Sequence, residues 1–230
     1  MNLLKKLFNK KEKNFSLAEI EKNCLKAKEY FEQGMSAENI DQAIELYQKA
    51  IELNPNDTLT YVNMAKAYYT KGNFDQVEFD IKRRYFRESM KAAQEILQLS
   101  SNNDEQLMAN ILIQANAFFL GDFETSLTAL DNDAIHLDRN SRDAIIMLVN
   151  VWTQIKNATN YMLEKGENEF TVTYPGGAVL TTLTIQQVID LLAKLKDIED
   201  VYSIRPEVED LLTKLVALEL VFIEEEKKKL

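Results

Sequence analysis

Residues able to carry chemistry are scarce in this sequence. His136 is the sole histidine and Cys24 the sole cysteine. One chain therefore lacks both a catalytic histidine beside a His-based metal site and the roughly four N or S ligands of a zinc constellation. Asp138 lies two residues beyond His136, but Leu137 stands where phosphoryl-transfer chemistry wants an arginine, and no glycine-rich loop precedes it. Carboxylates are plentiful, yet no pair singles itself out as a glycosidase-type acid and base. Gly176-Gly177 is followed by no Lys-Ser or Lys-Thr and reads as a turn, not a phosphate cradle. Lys82-Arg-Arg84, with Tyr85, Phe86 and Arg87, has the makings of a nucleic-acid patch. Asp75, Glu78, Asp80 and Glu88 largely cancel its charge, so it reads as a solvated helix face with two core aromatics. The expectation is a protein with no catalytic residue, no metal site and no cofactor, hence not an enzyme.

Composition points to helices. Hydrophobic residues make up 46% of the 230 and charged residues 28%, too apolar for a disordered chain and too charged for an integral membrane protein. Six Gly and three Pro are too few for the tight turns of an all-β chain. The net charge of −10 argues against nucleic acid as a partner. That charge is uneven: in residues 1–13 five lysines face Glu12 alone, a tail of +4 that leaves −14 on the remainder. No apolar run reaches the ~18 residues of a bilayer span, and lysines break up the apolar residues of the first segment before a secretory signal can form. One cysteine without a partner suits a reducing compartment. A cytoplasmic location follows, and the Lys/Asn/Ile-rich composition has a bacterial flavour.

The elements that position these residues repeat. Three segments end a helix in nearly the same way: Ala50-Ile-Glu-Leu-Asn-Pro-Asn, Ile96-Leu-Gln-Leu-Ser-Ser-Asn and Ala134-Ile-His-Leu-Asp-Arg-Asn. Upstream of each is a glycine followed by an aromatic or aliphatic residue: Gly34 with Ile40, Gly72 with Phe74, Gly121 with Phe123. Small residues let paired helices approach and rings fill the spaces between units. Glycine is expected to end each first helix in a left-handed conformation, and Pro55 to stop the second. Residues 20–140 resemble the tetratricopeptide repeat (TPR) family. Unit one carries Ala27, Tyr30, Gly34, Ala43, Tyr47, Ala50 and Pro55, with about four extra residues after Gly34. Unit two carries Tyr61, Met64, Ala65, Tyr68, Gly72 and Phe74; unit three carries Ala117, Gly121, Phe123 and Ala134, with Ser126 and Arg139 in place of the family's alanine and proline. Spacings of 38 and 49 residues between the glycines exceed the family period of ~34. The excess falls in 75–100, which holds no Gly or Pro and is expected to be one long helix.

Beyond 140 no family is recognised. Residues 142–164 read as a helix with Ile145, Ile146, Leu148, Val149, Trp152 and Ile155 on a broad apolar face and Trp152 in the core. Phe170 to Tyr174 alternates, Pro175-Gly-Gly177 turns, and Ala178 to Leu183 is β-branched and apolar: a hairpin near 169–183 that must pack on helices or on a partner. Thr184-Ile-Gln-Gln187 has the form of a capping box starting a helix to about Ile198, and a last helix starts near Pro206. The fold expected is all-α: a basic amphipathic tail over 1–14, a TPR-like superhelix of helical hairpins over 15–140, and a helical region with one small β-hairpin over 141–230.

The TPR resemblance implies a non-enzymatic adaptor or scaffold that holds a segment of another protein in a concave groove lined by the first helices of each unit. The corresponding positions are Cys24, Lys28 and Phe31 in unit one, Val62, Asn63, Lys66 and Tyr69 in unit two, and Met108, Ile111, Ala115 and Phe118 in unit three. The carboxylate clamp of chaperone-binding members needs two lysines, two asparagines and an arginine; only Asn63 matches. The positions are instead apolar and aromatic, which suits bulky anchors, unless the chain's own C-terminal helices or hairpin cover them. An alternative is a dedicated chaperone, or an inhibitor or immunity-type protein, for one basic partner. In the tail, Leu3, Leu4, Leu7 and Phe8 would form one stripe among lysines, a candidate for weak peripheral contact with the inner face of a membrane.

Overall fold

A computed structural model describes residues 16–74, 77–134, 142–174, 177–198 and 204–228, with the backbone alone at 131–134, 142–145 and 147. Among these residues nine α-helices and one antiparallel hairpin follow one another. They are α1 (Leu17–Met35), α2 (Ile40–Leu53), α3 (Thr58–Gly72), α4 (Phe79–Leu99), α5 (Asn103–Leu120), α6 (Phe123–Ala134), α7 (Arg142–Lys165), β1 (Glu169–Thr173), β2 (Val179–Thr184), α8 (Ile185–Asp197) and α9 (Arg205–Lys227). The all-α architecture of repeat-like helical pairs with a single small hairpin is the one the sequence led us to expect. The chain divides into two compact units, Met1–Thr60 and Tyr61–Leu230.

In the first unit, α1 opens on a capping box in which Ser16 accepts from the Glu19 amide and Glu19 accepts from that of Ser16. Two orphan donors of the first turn are thereby satisfied. Asn39 caps α2 through the Gln42 amide. Ala27 and Gly34 face Ile44, Tyr47 and Ala50 of α2, and Phe31 sets its ring 6.0 Å from that of Tyr47. Gly34 lies inside α1 and not in a left-handed cap; a Cβ there would come within 2.5 Å of Tyr47 Cε1. Gly72 repeats the device in the second unit, where a Cβ would meet Phe86 Cε1 at 2.6 Å. Both glycines make room for a ring. Of the three, only Gly121 ends its helix left-handed, at φ 78°.

The second unit takes in α3 from Tyr61 onward, and α4 meets it where the Ser89 hydroxyl donates to the Ala65 carbonyl at 2.8 Å. The stretch expected to be one long helix is continuous from Phe79 to Leu99. Phe74 lies in the connection before it and is exposed, not in the core. Asn102 caps α5, which is buried on almost every side through its middle. Ser126 is fully buried; its hydroxyl donates to the Gln114 carbonyl at 3.0 Å, which accounts for a polar residue in that place. From α6 onward, helices and hairpin share one core built from Phe123, Leu127, Val151, Ile155, Met162, Leu183, Leu192 and Leu215 with their neighbours. Trp152 belongs to it. Ile146 and Val149 do not and are exposed, since the buried stripe of α7 runs through Leu148, Val151, Ile155 and Met162, the opposite side of a 3.6-residue turn from Ile146. The hairpin pairs Phe170 with Leu183 and turns Val172, Leu180 and Leu183 inward, while Thr184 and Gln187 close the expected capping box of α8.

Candidate protein-binding surface

Repeat helices bind through the side chains left over once pair-to-pair packing is satisfied. In the first unit Cys24 and Lys28 are exposed on α1, with Lys28 3.9 Å from Glu32, and Phe31 is half-buried against Tyr47. In the second unit Val62 is 7% exposed and given over to packing. Asn63 is half-buried and Lys66 exposed, one turn apart on α3. On α5, Met108 and Ile111 are half-buried and Ala115 is buried.

Tyr69 and Phe118 are brought together through Phe119, which is not one of the expected groove positions. Phe119 lies 6.3 Å from Tyr69, stacks on Phe86 at 4.9 Å and meets Phe118 edge-on at 5.5 Å. Phe118 in turn touches Phe123 and packs on the shared core. The row continues from Phe119 to Tyr174 at the end of β1 and from Tyr174 to Phe79 at 5.3 Å. Through Tyr174 the turn end of the hairpin thus reaches the start of α4 and the end of α5, and Gly121 admits β2: a Cβ there would fall 2.9 Å from Thr181 Cβ.

Cations cover the rings. Lys82 Nζ sits 5.6 Å from the centre of Tyr174 and the Arg83 guanidinium 5.7 Å from that of Phe79. Such contacts contribute on the order of 0.5–2 kcal/mol according to desolvation. Lys82 is buried, so the expectation of a solvated basic face fails there; its stem is packed and its charge lies against a ring. Arg83 Nε is buried with no hydrogen-bond partner among the described residues. The Phe118-Phe119 dyad and the tyrosine before a Pro-Gly-Gly turn were the legible signals for this cluster. What no local pattern conveyed was that the hairpin tip would meet α4.

Chemically, Lys66 presents an exposed cation on α3, and Met108 and Ile111 present half-buried apolar side chains on α5. Among the described residues no group of three or more His, Cys, Asp or Glu is placed to hold a metal ion, and no helix is long and apolar enough to cross a membrane. His136 and the stripe Leu3, Leu4, Leu7 and Phe8 lie outside the described residues. The family described as TPR repeat matches residues 27–72, from the middle of α1 to the end of α3. No curated protein matches the chain.

Proposed function

We propose that this chain, a TPR-type repeat protein over residues 27–72, is a non-enzymatic adaptor that holds an extended or helical segment of a partner protein. TPR repeats generally serve protein–protein interaction. In the second unit the contact falls on Asn63, Lys66, Met108 and Ile111, with Lys28 and Phe31 offering the equivalent positions on α1. The observation that carries the reading is the division of labour on α3 and α5. Val62 and Ala115 are buried in packing and Phe118 leans on the shared core, whereas Lys66 is exposed and Met108 and Ile111 are only half-buried. Bulky anchors on a partner would bury that surface at ~25 cal/mol per Å².

The net charge of −10 favours a basic partner and long-range steering towards it. A cytoplasmic site of action fits a lone, exposed cysteine. Affinity capture from the source cells tests the proposal, with Lys66→Glu and Met108→Asp compared against the unaltered chain and circular dichroism confirming that each stays helical. Partners that bind the unaltered chain and are lost from both variants support it. Identical sets from all three would overturn it. Elution that steepens with salt would identify the partner surface as basic.

A further inference from the structure

Helix α9 carries two apolar seams, and among the described residues only one is packed. The first runs through Val208, Leu211, Leu215, Leu218 and Phe222 at alternating spacings of three and four, and it packs into the shared core. The second reads Glu209, Thr213, Val216, Leu220, Ile223, Lys227, spaced four, three, four, three, four. At 3.6 residues per turn these six fall within an arc of about 80°, the pattern of a coiled-coil face. All six are exposed: Val216 by 37%, Leu220 by 55% and Ile223 by 41%. Three large aliphatics in a line along a ~34 Å helix form a stripe that is unpartnered among the described residues, not scattered surface residues.

We propose that this second seam is a self-association surface, on which α9 of a second copy docks antiparallel. The charges at its ends select that occupant and that direction. The spacing is symmetric about residue 218, so an antiparallel copy in that register sets Val216 against Leu220, Thr213 against Ile223, and Glu209 against Lys227. A two-fold axis makes every such contact twice. A parallel copy would place Glu209 against Glu209 and Lys227 against Lys227, like charges that repel at both ends. Within its own chain Glu209 already lies 3.6 Å from Lys196 of α8, an exposed pair that leaves its carboxylate accessible to a second cation. The seam is short, so the dimer belongs with small, reversible interfaces of under about 1,200 Å². It is separate from the adaptor surface on α3 and α5 and stands or falls independently.

Sedimentation equilibrium of the full chain, over a concentration series from micromolar to hundreds of micromolar, tests the proposal. The expected result is a weight-average mass that climbs from one chain towards two, and that stays at one chain for Leu220→Glu. The exposure of Leu220 leaves that variant folded, which its circular dichroism checks. Glu209→Lys is expected to weaken association several-fold, and so is Lys227→Glu, because each sets like charges together twice. The double exchange Glu209→Lys with Lys227→Glu restores association, although the ion pair with Lys196 remains broken. A mass of one chain throughout overturns the proposal and leaves the seam to the helix of a different protein. A dimer indifferent to Leu220→Glu, or one that the double exchange fails to restore, overturns it as well.

Discussion

In the first unit α1 buries only Ala27 and Gly34, set against Ile44, Tyr47 and Ala50 of α2. In the second, α6 to α9 and the hairpin share a single cluster that runs from Phe123 to Leu215. The first is a line of contact between two helices, set by how closely their backbones approach. The second is a volume filled from several directions. A line of contact is hurt by adding an atom where there is no room; a filled volume is hurt by taking atoms away, because its walls cannot all collapse into the gap. The two regions should therefore answer to opposite kinds of substitution.

The largest effect is expected from removing atoms in the shared cluster. Leu192 is fully buried on α8. Leu192→Ala should cost about 2–5 kcal/mol, the lost transfer energy plus the cavity left behind, read as a lower denaturant midpoint with unchanged slope. Ile44→Ala in the first unit should cost less, since two helices can close over the gap more freely than a cluster walled on several sides. Equal losses would erase the distinction between line and volume.

The second effect separates the regions by pH. Burial raises the Tyr61 phenol to about 12, with the nearby Glu95 carboxylate adding to the rise. Tyr47 in the first unit is raised too, again by burial. Well below pH 10 the phenol is protonated in both the folded and the unfolded chain, so stability there is unaffected. Between pH 10 and about 12 the unfolded chain releases the Tyr61 proton and the folded one holds it, so stability falls as pH rises. The loss amounts to roughly 2–3 kcal/mol across that window. Tyr61→Phe should flatten the alkaline limb of a stability-versus-pH curve, and Tyr47→Phe should flatten it less. An alkaline limb that Tyr61→Phe leaves unchanged would show that other groups control it.

Adding an atom comes next. Ala in place of a helical glycine ordinarily gains about 1 kcal/mol, so the sign of Gly34→Ala is informative. With the new Cβ 2.5 Å from the Tyr47 ring, the clash should outweigh the gain and leave a net loss of about 1–2 kcal/mol. In a Tyr47→Ala background the same substitution should become stabilising, and the double-mutant cycle measures the contact itself. Gly72→Ala with Phe86→Ala should behave alike.

These contacts also mark what was legible in the sequence. Recurring Ala, Tyr and Gly positions gave away the pairs, because a helix pair repeats its contact at fixed spacing and the spacing is local. The hairpin over 169–183 and its capping box at Thr184 were legible for the same reason: alternation, turn and cap are decided within a few residues. The role of Gly34 and Gly72 was misassigned because a glycine near a helix end has two uses, a left-handed cap or space for a ring, and only the neighbour across the pair distinguishes them. Tyr69 and Phe118 were read as groove residues from their helical positions; that Phe119 and Tyr174 would join them depended on a hairpin tip more than fifty residues away. Lys82 looked solvated because its neighbours in sequence are charged, whereas its neighbours in space are rings.

The smallest effect compares one local device in both regions. Ser16 with Glu19 and Thr184 with Gln187 are capping boxes of the same form, each exchanging two hydrogen bonds across a first turn. An N-cap hydroxyl replaced by alanine costs about 0.5–2 kcal/mol where the first turn is tied to the rest of the fold. The turn after Thr184 is so tied: Ile185 is buried in the shared cluster and its amide donates to the Asn168 carbonyl at 2.8 Å. Fraying α8 would therefore pull on β1 and on the core, and Thr184→Ala should lower global stability by about 1 kcal/mol. The turn after Ser16 has no such anchor, since Leu17 and Ile20 are both exposed. Ser16→Ala should leave the global midpoint nearly unchanged and speed hydrogen exchange only at the first amides of α1, because a turn that opens alone does so without the rest of the structure. Equal global losses from the two would mean that α1 is anchored more firmly than its contacts with α2 imply.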